Sequence, residues 1–163
     1  MTKIGVISDT HLNYPNQSLP SELLSALQGV DLILHAGDWC SPHIVRPLAD
    51  IAIVHGVYGN CDPDSMIRTH DARLLLEVEQ ARLGLTHGHL GPGPDTPTRA
   101  GNVFVDDDVQ CVVFGHSHIA MCEQRNGVLL FNPGSPTQPR GARPSCGFLF
   151  VCGATIRGEV RWI

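Results

Sequence analysis

Val112-Val113-Phe114-Gly115-His116-Ser117-His118 joins an apolar run, long enough for a buried strand, to a glycine and two histidines at spacing i, i+2. Glycine allows a tight turn where a bulkier residue is strained. That turn is expected to lift both imidazoles off the strand end into one cleft. Two neutral imidazoles so close together suit metal binding, since histidine is the commonest nitrogen ligand for Zn, Fe, Ni and related ions.

Working outward, the same pattern recurs along the chain. An apolar strand over residues 4–8 runs into Asp9-Thr10-His11, and one over 31–35 into Ala36-Gly37-Asp38. A strand over 51–57 leads to Tyr58-Gly59-Asn60-Cys61-Asp62, and one over 81–86 to His87-Gly88-His89. Between the first three lie two helical stretches. Residues 21–29 carry Leu23, Leu24 and Leu27 on one face, with Ser21 as N-cap and Gly29 as stop; residues 42–50 form a shorter helix. Strand–helix–strand spacing indicates parallel pairing, and ligands of open α/β sheets bind beyond the carboxyl ends of the strands.

The second half changes character. Strands are expected over 72–78, 81–86, 109–114, 119–124, 128–131, 146–151 and 155–162, with a brief helix over 98–105. A turn at Arg125-Asn126-Gly127, a Gly- and Pro-rich loop over 91–97 and a rigid Asn132-Pro133-Gly134-Ser135-Pro136 loop punctuate them. The expectation is an α/β chain with a parallel first half and an antiparallel second half, two sheets face to face and helices outside.

Composition bounds the reading. With 163 residues, 42% hydrophobic and 17% charged, the chain suits one ordinary globular domain spanning 1–163. A net charge of −5 argues against a dedicated nucleic-acid surface. The cysteines Cys40, Cys61, Cys111, Cys122, Cys146 and Cys152 form no CxxC pair, and several lie in apolar runs such as Phe148-Leu149-Phe150-Val151-Cys152. Buried free thiols and a reducing cytoplasm are expected. No run reaches the roughly 20 apolar residues of a membrane span, and no signal-type segment precedes Lys3-Ile4-Gly5-Val6-Ile7.

Asp9, His11, Asp38, Asn60, His87, His116 and His118 are therefore candidate metal ligands, all following apolar strands. Each alone has a bland explanation as a cap, turn or surface residue; one shared site explains them together. Nitrogen and oxygen ligands without thiolate suit Mn, Fe, Ni, Co or Zn, and their number points to two metals rather than one tetrahedral structural zinc.

The ordered set Asp9-x-His11, Gly37-Asp38, Gly59-Asn60, His87-Gly88-His89 and Gly115-His116-x-His118 resembles that of calcineurin-like metallophosphoesterases. Gly59-Asn60-Cys61-Asp62 and the Asn132–Ser135 loop are similar to those of their small bacterial and archaeal phosphodiesterase branch. The resemblance implies a four-layer α-β-β-α sandwich of two mixed sheets with the site at the strand C-terminal ends. It also implies that Asp9, His11, Asp38 and His118 hold one metal, and that Asp38 bridges to a second held by Asn60, His87 and His116. Two divalent transition metals are expected, manganese leading, with Ni, Co, Fe or Zn as alternatives. They would activate a hydroxide for attack on a small or nucleotide-like phosphodiester. A phosphomonoesterase, a non-catalytic scaffold like the retromer subunit of this fold, and a single-metal sensor are the competing functions. Such relatives are often dimers or larger.

The chain departs from the pattern at Cys61, where many members carry a histidine that protonates the leaving group. A thiol substitutes poorly for imidazole, so Cys61 is expected to be a small packing residue. Asn60 could touch both metal and phosphate. His89 could supply the proton or orient a ligand, and Asp62 could serve a turn or support a ligand. Trp39 could line the cleft or pack on the following helix. Arg140 and Arg143 could meet a phosphate, though solvated charge is the simpler reading. His35, His43, His55 and His70 are taken as structural or surface residues.

Overall fold

A computed structural model describes residues 1–140 and 143–163. Among the described residues ten strands are formed: β1 Thr2–Ile7, β2 Leu32–His35, β3 Ile53–Gly56, β4 Arg73–Val78, β5 Ala81–Thr86, β6 Cys111–Val113, β7 Met121–Arg125, β8 Val128–Asn132, β9 Ser145–Cys152 and β10 Thr155–Trp162. Among the same residues the short helices are α1 Ser21–Ala26, α2 Val45–Ala49 after a 3₁₀ turn at Pro42–Ile44, α3 Asp64–Ile67 and α4 Thr96–Asn102.

The strands make two five-stranded sheets, ordered β10-β9-β1-β2-β3 and β4-β5-β6-β8-β7. Both are mixed. β1, β2 and β3 run parallel while β9 and β10 join antiparallel. β5, β6 and β8 run parallel while β4 and β7 flank them antiparallel. The division into a parallel first half and an antiparallel second half is thus corrected. The last two strands return to the first sheet, where Thr2 pairs Val151, a contact no local pattern reveals.

Both faces of each central strand are covered, so apolar runs rather than alternation mark them. Ile4, Val6 and Leu34 of the first sheet meet Leu83, Leu85, Val113 and Phe131 of the second. The opposite parity of the same strands, Ile7, Ile33 and Phe148, packs under Leu23, Leu27 and Leu48 of the α1 and α2 region. Val112, Phe114 and Leu130 pack beneath Ala100 and Phe104. These three clusters give the α-β-β-α layering.

Other boundaries shift for local reasons. α4 starts earlier than expected because Asp95 accepts a hydrogen bond from Thr98 N and Pro97 fits the first turn. Ser21 lies inside α1 rather than capping it, its hydroxyl turned to Glu22. α3, a single turn between Asp62 and Arg73, has too few residues to show a period. Of the cysteines, Cys111 and Cys146 are buried, but Cys61, Cys122 and Cys152 are exposed; all six are free thiols. Cys152 is exposed because it ends β9, beyond the inward-facing Val151. Among the described residues, no helix is long and apolar enough to cross a membrane.

Candidate metal centre

Register delivers the site. In the first sheet Ile7 pairs His35, and His35 pairs Gly56, so the turns after β1, β2 and β3 leave at one level. In the second, Leu85 pairs Val113 and Val113 pairs Phe131, aligning the turns after β5, β6 and β8. Three of these turns share a backbone form. Asp9 and His11 (φ 54° and 42°), Asp38 and Cys40 (57° and 68°), and His116 and His118 (67° and 59°) all adopt left-handed conformations at spacing i, i+2. Such a residue points its side chain back over the turn, and non-glycine residues rarely hold it. Gly115 and Gly59 are required by contact: a Cβ at the first would collide with Ser8 Oγ, and at the second with Asp38 Oδ1.

Five of the seven expected ligands converge. His11 Nε2 lies 3.2 Å from His118 Nε2, 3.5 Å from Asp38 Oδ2 and 3.9 Å from Asp9 Oδ1. His118 Nε2 is 3.4 Å from Asp9 Oδ1, and His87 Nε2 is 3.3 Å from Asp38 Oδ2 and 4.0 Å from Asp9 Oδ1. The far ring nitrogens are anchored. His87 Nδ1 donates to Ala36 O at 2.7 Å and His118 Nδ1 to Gln138 O at 2.6 Å. These carbonyls can only accept, so both Nε2 atoms present lone pairs when the rings are neutral. His11 Nδ1 has a different partner, the Cys40 thiol at 3.3 Å, whose own S–H faces Cys61 O at 3.7 Å.

Burial and mutual charge set the ionisation. Burial pushes the Asp9 carboxyl up, opposed by His87, the Ser8 hydroxyl and His118. Asp38 moves the other way. Although burial opposes it, the adjacent His87 ring, the Cys61 amide and His11 hold it well below the usual carboxylate range. Burial disfavours charge on His87 too, yet Asp38 and Asp9 raise it. His11 is lowered by burial and by its histidine neighbours, and His116 falls to about 4 through burial, His87, His89 and Arg99.

The remaining expected residues sit farther out. His116 packs edge-on to His87, ring centroids 5.1 Å apart, with its amide held by the Asp9 carboxylate at 3.0 Å. Asn60 is exposed and turns its amide onto Cys61 Sγ at 3.4 Å. His89 lies beside His87 and Tyr58, its buried Nδ1 without a hydrogen-bond partner. Cys61 is not a packing residue. It is exposed at the rim because its amide is fixed on Asp38 Oδ1 at 2.8 Å, which holds it over the cleft. Trp39 is fully buried, donates to Val57 O at 2.8 Å and stacks 3.6 Å from the His35 ring, so it packs rather than lines the cleft. His35 is buried, accepting from Gly37 N at 3.2 Å and donating toward Thr10 Oγ1 at 3.1 Å. Arg140 is exposed, its amide on His118 O, and Arg143 lies over Trp162.

A supporting layer holds these turns, in which the expected support by Asp62 is joined by residues the sequence reading missed. Asp62 is buried and accepts from Asp38 N, Cys40 N and Gly59 N at 3.0, 2.7 and 2.8 Å. Ser135 Oγ donates to Asp9 O at 2.8 Å and Thr137 Oγ1 to Thr10 O at 2.8 Å. Asn132 Nδ2 donates to Gly115 O at 2.8 Å, tying the loop after β8 to the loop after β6. Arg99 Nε donates to Gly88 O at 3.3 Å, pinning the turn between His87 and His89. The polar Asn-Pro-Gly-Ser sequence was the one available signal for part of this layer.

The donor set fits divalent metal. His11 Nε2 and His118 Nε2 lie 3.2 Å apart beside Asp9 Oδ1, so with His11 protonated at Nδ1 three acceptor atoms converge on one point that a cation can fill. His87 Nε2 is buried without a hydrogen-bond partner, its approach to Asp38 misaligned. Ligands about 2.0–2.2 Å from one ion lie roughly 3–3.5 Å from each other, matching the closer spacings here. Asp9, His11 and His118 form one compact group and Asp9, Asp38 and His87 another.

Known proteins bear on this geometry. A probable metallophosphoesterase of Methanothermobacter thermautotrophicus is 39% identical over 158 residues, 96% of this chain and 90% of that one. The phosphodiesterase YfcE of Escherichia coli is 32% identical, covering 89% of this chain and 85% of its own. The zinc complex of Vps29 from Entamoeba histolytica shares the fold with a TM-score of 0.79 at 22% identity, over 98% of both chains. Residues 2–153 match the calcineurin-like phosphoesterase superfamily domain. With its two mixed sheets, this chain thus belongs to the calcineurin-like phosphoesterase superfamily.

Proposed function

We propose that the chain is a dinuclear metal-dependent phosphodiesterase acting on a small or nucleotide-like phosphoester. The observation that carries this reading is the position of Asp38 Oδ2, within 3.5 Å of both His11 and His87 nitrogens, where a carboxylate can serve two ions. In this reading Asp9, His11, Asp38 and His118 hold one metal, and Asp38, Asn60, His87 and His116 the other. Two such ions require anionic charge between them, and Asp38, kept ionised against burial, supplies it. Bound metals supply activation of a water near neutral pH and withdrawal of charge from phosphoryl oxygens.

The protein's own residues do the rest. Peptide carbonyls at Ala36 and Gln138 fix the tautomers of the neutral His87 and His118 rings, so that their Nε2 lone pairs are aimed inward. Asn60, exposed at the cleft edge with only a weak contact to Cys61, would be free to hold the second metal and meet a phosphoryl oxygen. His89, beside His87 with a buried ring nitrogen that has no hydrogen-bond partner, is assigned the leaving-group protonation; burial and His87 lower its pKa, so the ring would have to take up that proton in the substrate complex. Relatives named phosphodiesterases at 32% and 26% identity, the second from Methanocaldococcus jannaschii, support diester over monoester chemistry.

The test is a metal count on protein purified without chelator, followed by assay of a chromogenic diester beside the matching monoester with Mn, Ni, Co, Mg and Zn in turn. Two metals per chain and faster diester cleavage are expected. Monoester preference would replace the diester reading; bound metal without turnover of either would turn it toward a binding scaffold.

A further inference from the structure

The geometry points to Cys61 as an additional metal ligand, forming with His11 and Asp38 a nitrogen–oxygen–sulfur triad at the outer end of the cleft. The inference rests on the metal-binding reading of the site and goes beyond its nitrogen and oxygen ligands. One ligand atom from each of His11, Asp38 and Cys61 lies within 4.8 Å of the other two, the same compactness as the two groups described above. The arrangement is held from behind. Cys61 N donates to Asp38 Oδ1 at 2.8 Å, which leaves Oδ2 toward His11 and sets the thiol on the same side. Asp62, two residues from Asn60, gathers the amides of Asp38, Cys40 and Gly59 and so locks the two turns that carry the triad.

The thiol has no competing strong partner. Its contact is the Asn60 amide at 3.4 Å, a weak donor to sulfur, and the residue is exposed, so an ion can reach it. Coordination converts Cys–SH and a dication into Cys–S–metal and a proton released to solvent, with no change of oxidation state. Thiolate is a soft ligand, favouring Zn, Cd and Co over Mn and Mg. This end of the cleft is therefore thiophilic, and a chain carrying cysteine at this position gains a metal preference rather than only lacking a proton donor.

The experiment is cobalt substitution of the metal-free full chain, read by absorption, with Cys61→Ser and Cys40→Ser as paired variants. Cys40 is the control because its sulfur also lies near His11, but behind the ring at Nδ1. The wild type and Cys40→Ser are expected to show a near-ultraviolet thiolate-to-cobalt charge-transfer band that Cys61→Ser lacks. By calorimetry, Cys61→Ser should bind Cd about 10- to 100-fold more weakly while Mn affinity stays within about twofold. Visible cobalt bands without a thiolate band would overturn the assignment and leave the metal site standing. A band lost in Cys40→Ser but kept in Cys61→Ser would overturn it in favour of the other sulfur. Failure of the wild type to bind cobalt would overturn both this assignment and the metal reading beneath it, whereas loss of cobalt from Cys61→Ser alone would support the assignment.

Discussion

The two ends of the cleft are built from different materials. At the His87 end the imidazole is fully buried, its Nδ1 donates to a peptide carbonyl at 2.7 Å, and Arg99 braces the adjoining turn. At the other end His11 leans on a sulfur at 3.3 Å, and its neighbour Cys61 is open to solvent. A carbonyl oxygen is a strong acceptor and sulfur a weak one, so the first histidine is firmly aimed and the second is held loosely. What keeps the second end in shape is one carboxylate, Asp62, on three backbone amides. The pairing teaches that a site can be rigid where the sheet floor supplies carbonyls and adaptable where side chains stand in for them.

The largest expected effect comes from the residue common to both ends. Asp38→Ala should lower hydrolysis by more than about 10³-fold, beyond the loss of one transition-state donor, while circular dichroism stays that of the folded chain. Retained activity in metal-replete buffer would dissolve the idea of two coupled ends. Asp62→Ala acts on the backbone beneath the soft end and beneath the shared Asp38. Three amides lose their acceptor, and at roughly 1 kcal/mol each the chain should lose about 3 kcal/mol in a urea melt. An unchanged midpoint would mean that water replaces the carboxylate.

A third test asks how firmly His11 is aimed. Cys40→Ala removes the Nδ1 partner and should weaken metal binding about tenfold, the low end for loss of a ligand-orienting group; Cys40→Ser should recover part of it. Equal affinity in all three proteins would show that the thiol does not orient the ring. The smallest effect lies in the floor beneath both ends. His35 is pushed well below its ordinary pKa by burial and by the charges of His87 and His70. A histidine depressed in the folded state contributes fully above about pH 6.5, and its contribution is lost as pH falls below that value. Metal-free protein should therefore lose stability on acidification at up to about 1.4 kcal/mol per pH unit from this group. His35→Gln should flatten that slope.

These contrasts also explain what could be read in advance. The carboxylates and histidines were legible because each follows an apolar run and a small residue, a local signal that parallel strands make at their carboxyl ends. The four-layer architecture followed from the same spacing and from the family resemblance. A supporting role for Asp62 was legible from its place two residues after Asn60, but its partners were not, and the roles of Cys40 and Ser135 were hidden, because they lie in groups brought close by folding: Asp62 reaches Cys40 N across 22 positions and Ser135 reaches Asp9 O across 126. The return of β9 and β10 to the first sheet was hidden for the same reason. A strand's composition declares that it pairs, not with whom.

The left-handed turns have a consequence for how such a protein can change. Asp9, His11, Asp38, Cys40, His116 and His118 each hold a backbone form that costs a non-glycine residue about 1–2 kcal/mol. Glycine at position 40 would relieve that cost, so the metal-free chain would gain thermal stability by the change that removes a support of His11. Selection on heat resistance alone would thus erode the cleft from its own turns outward. A lineage that keeps bulky side chains there is being screened for what the cleft binds.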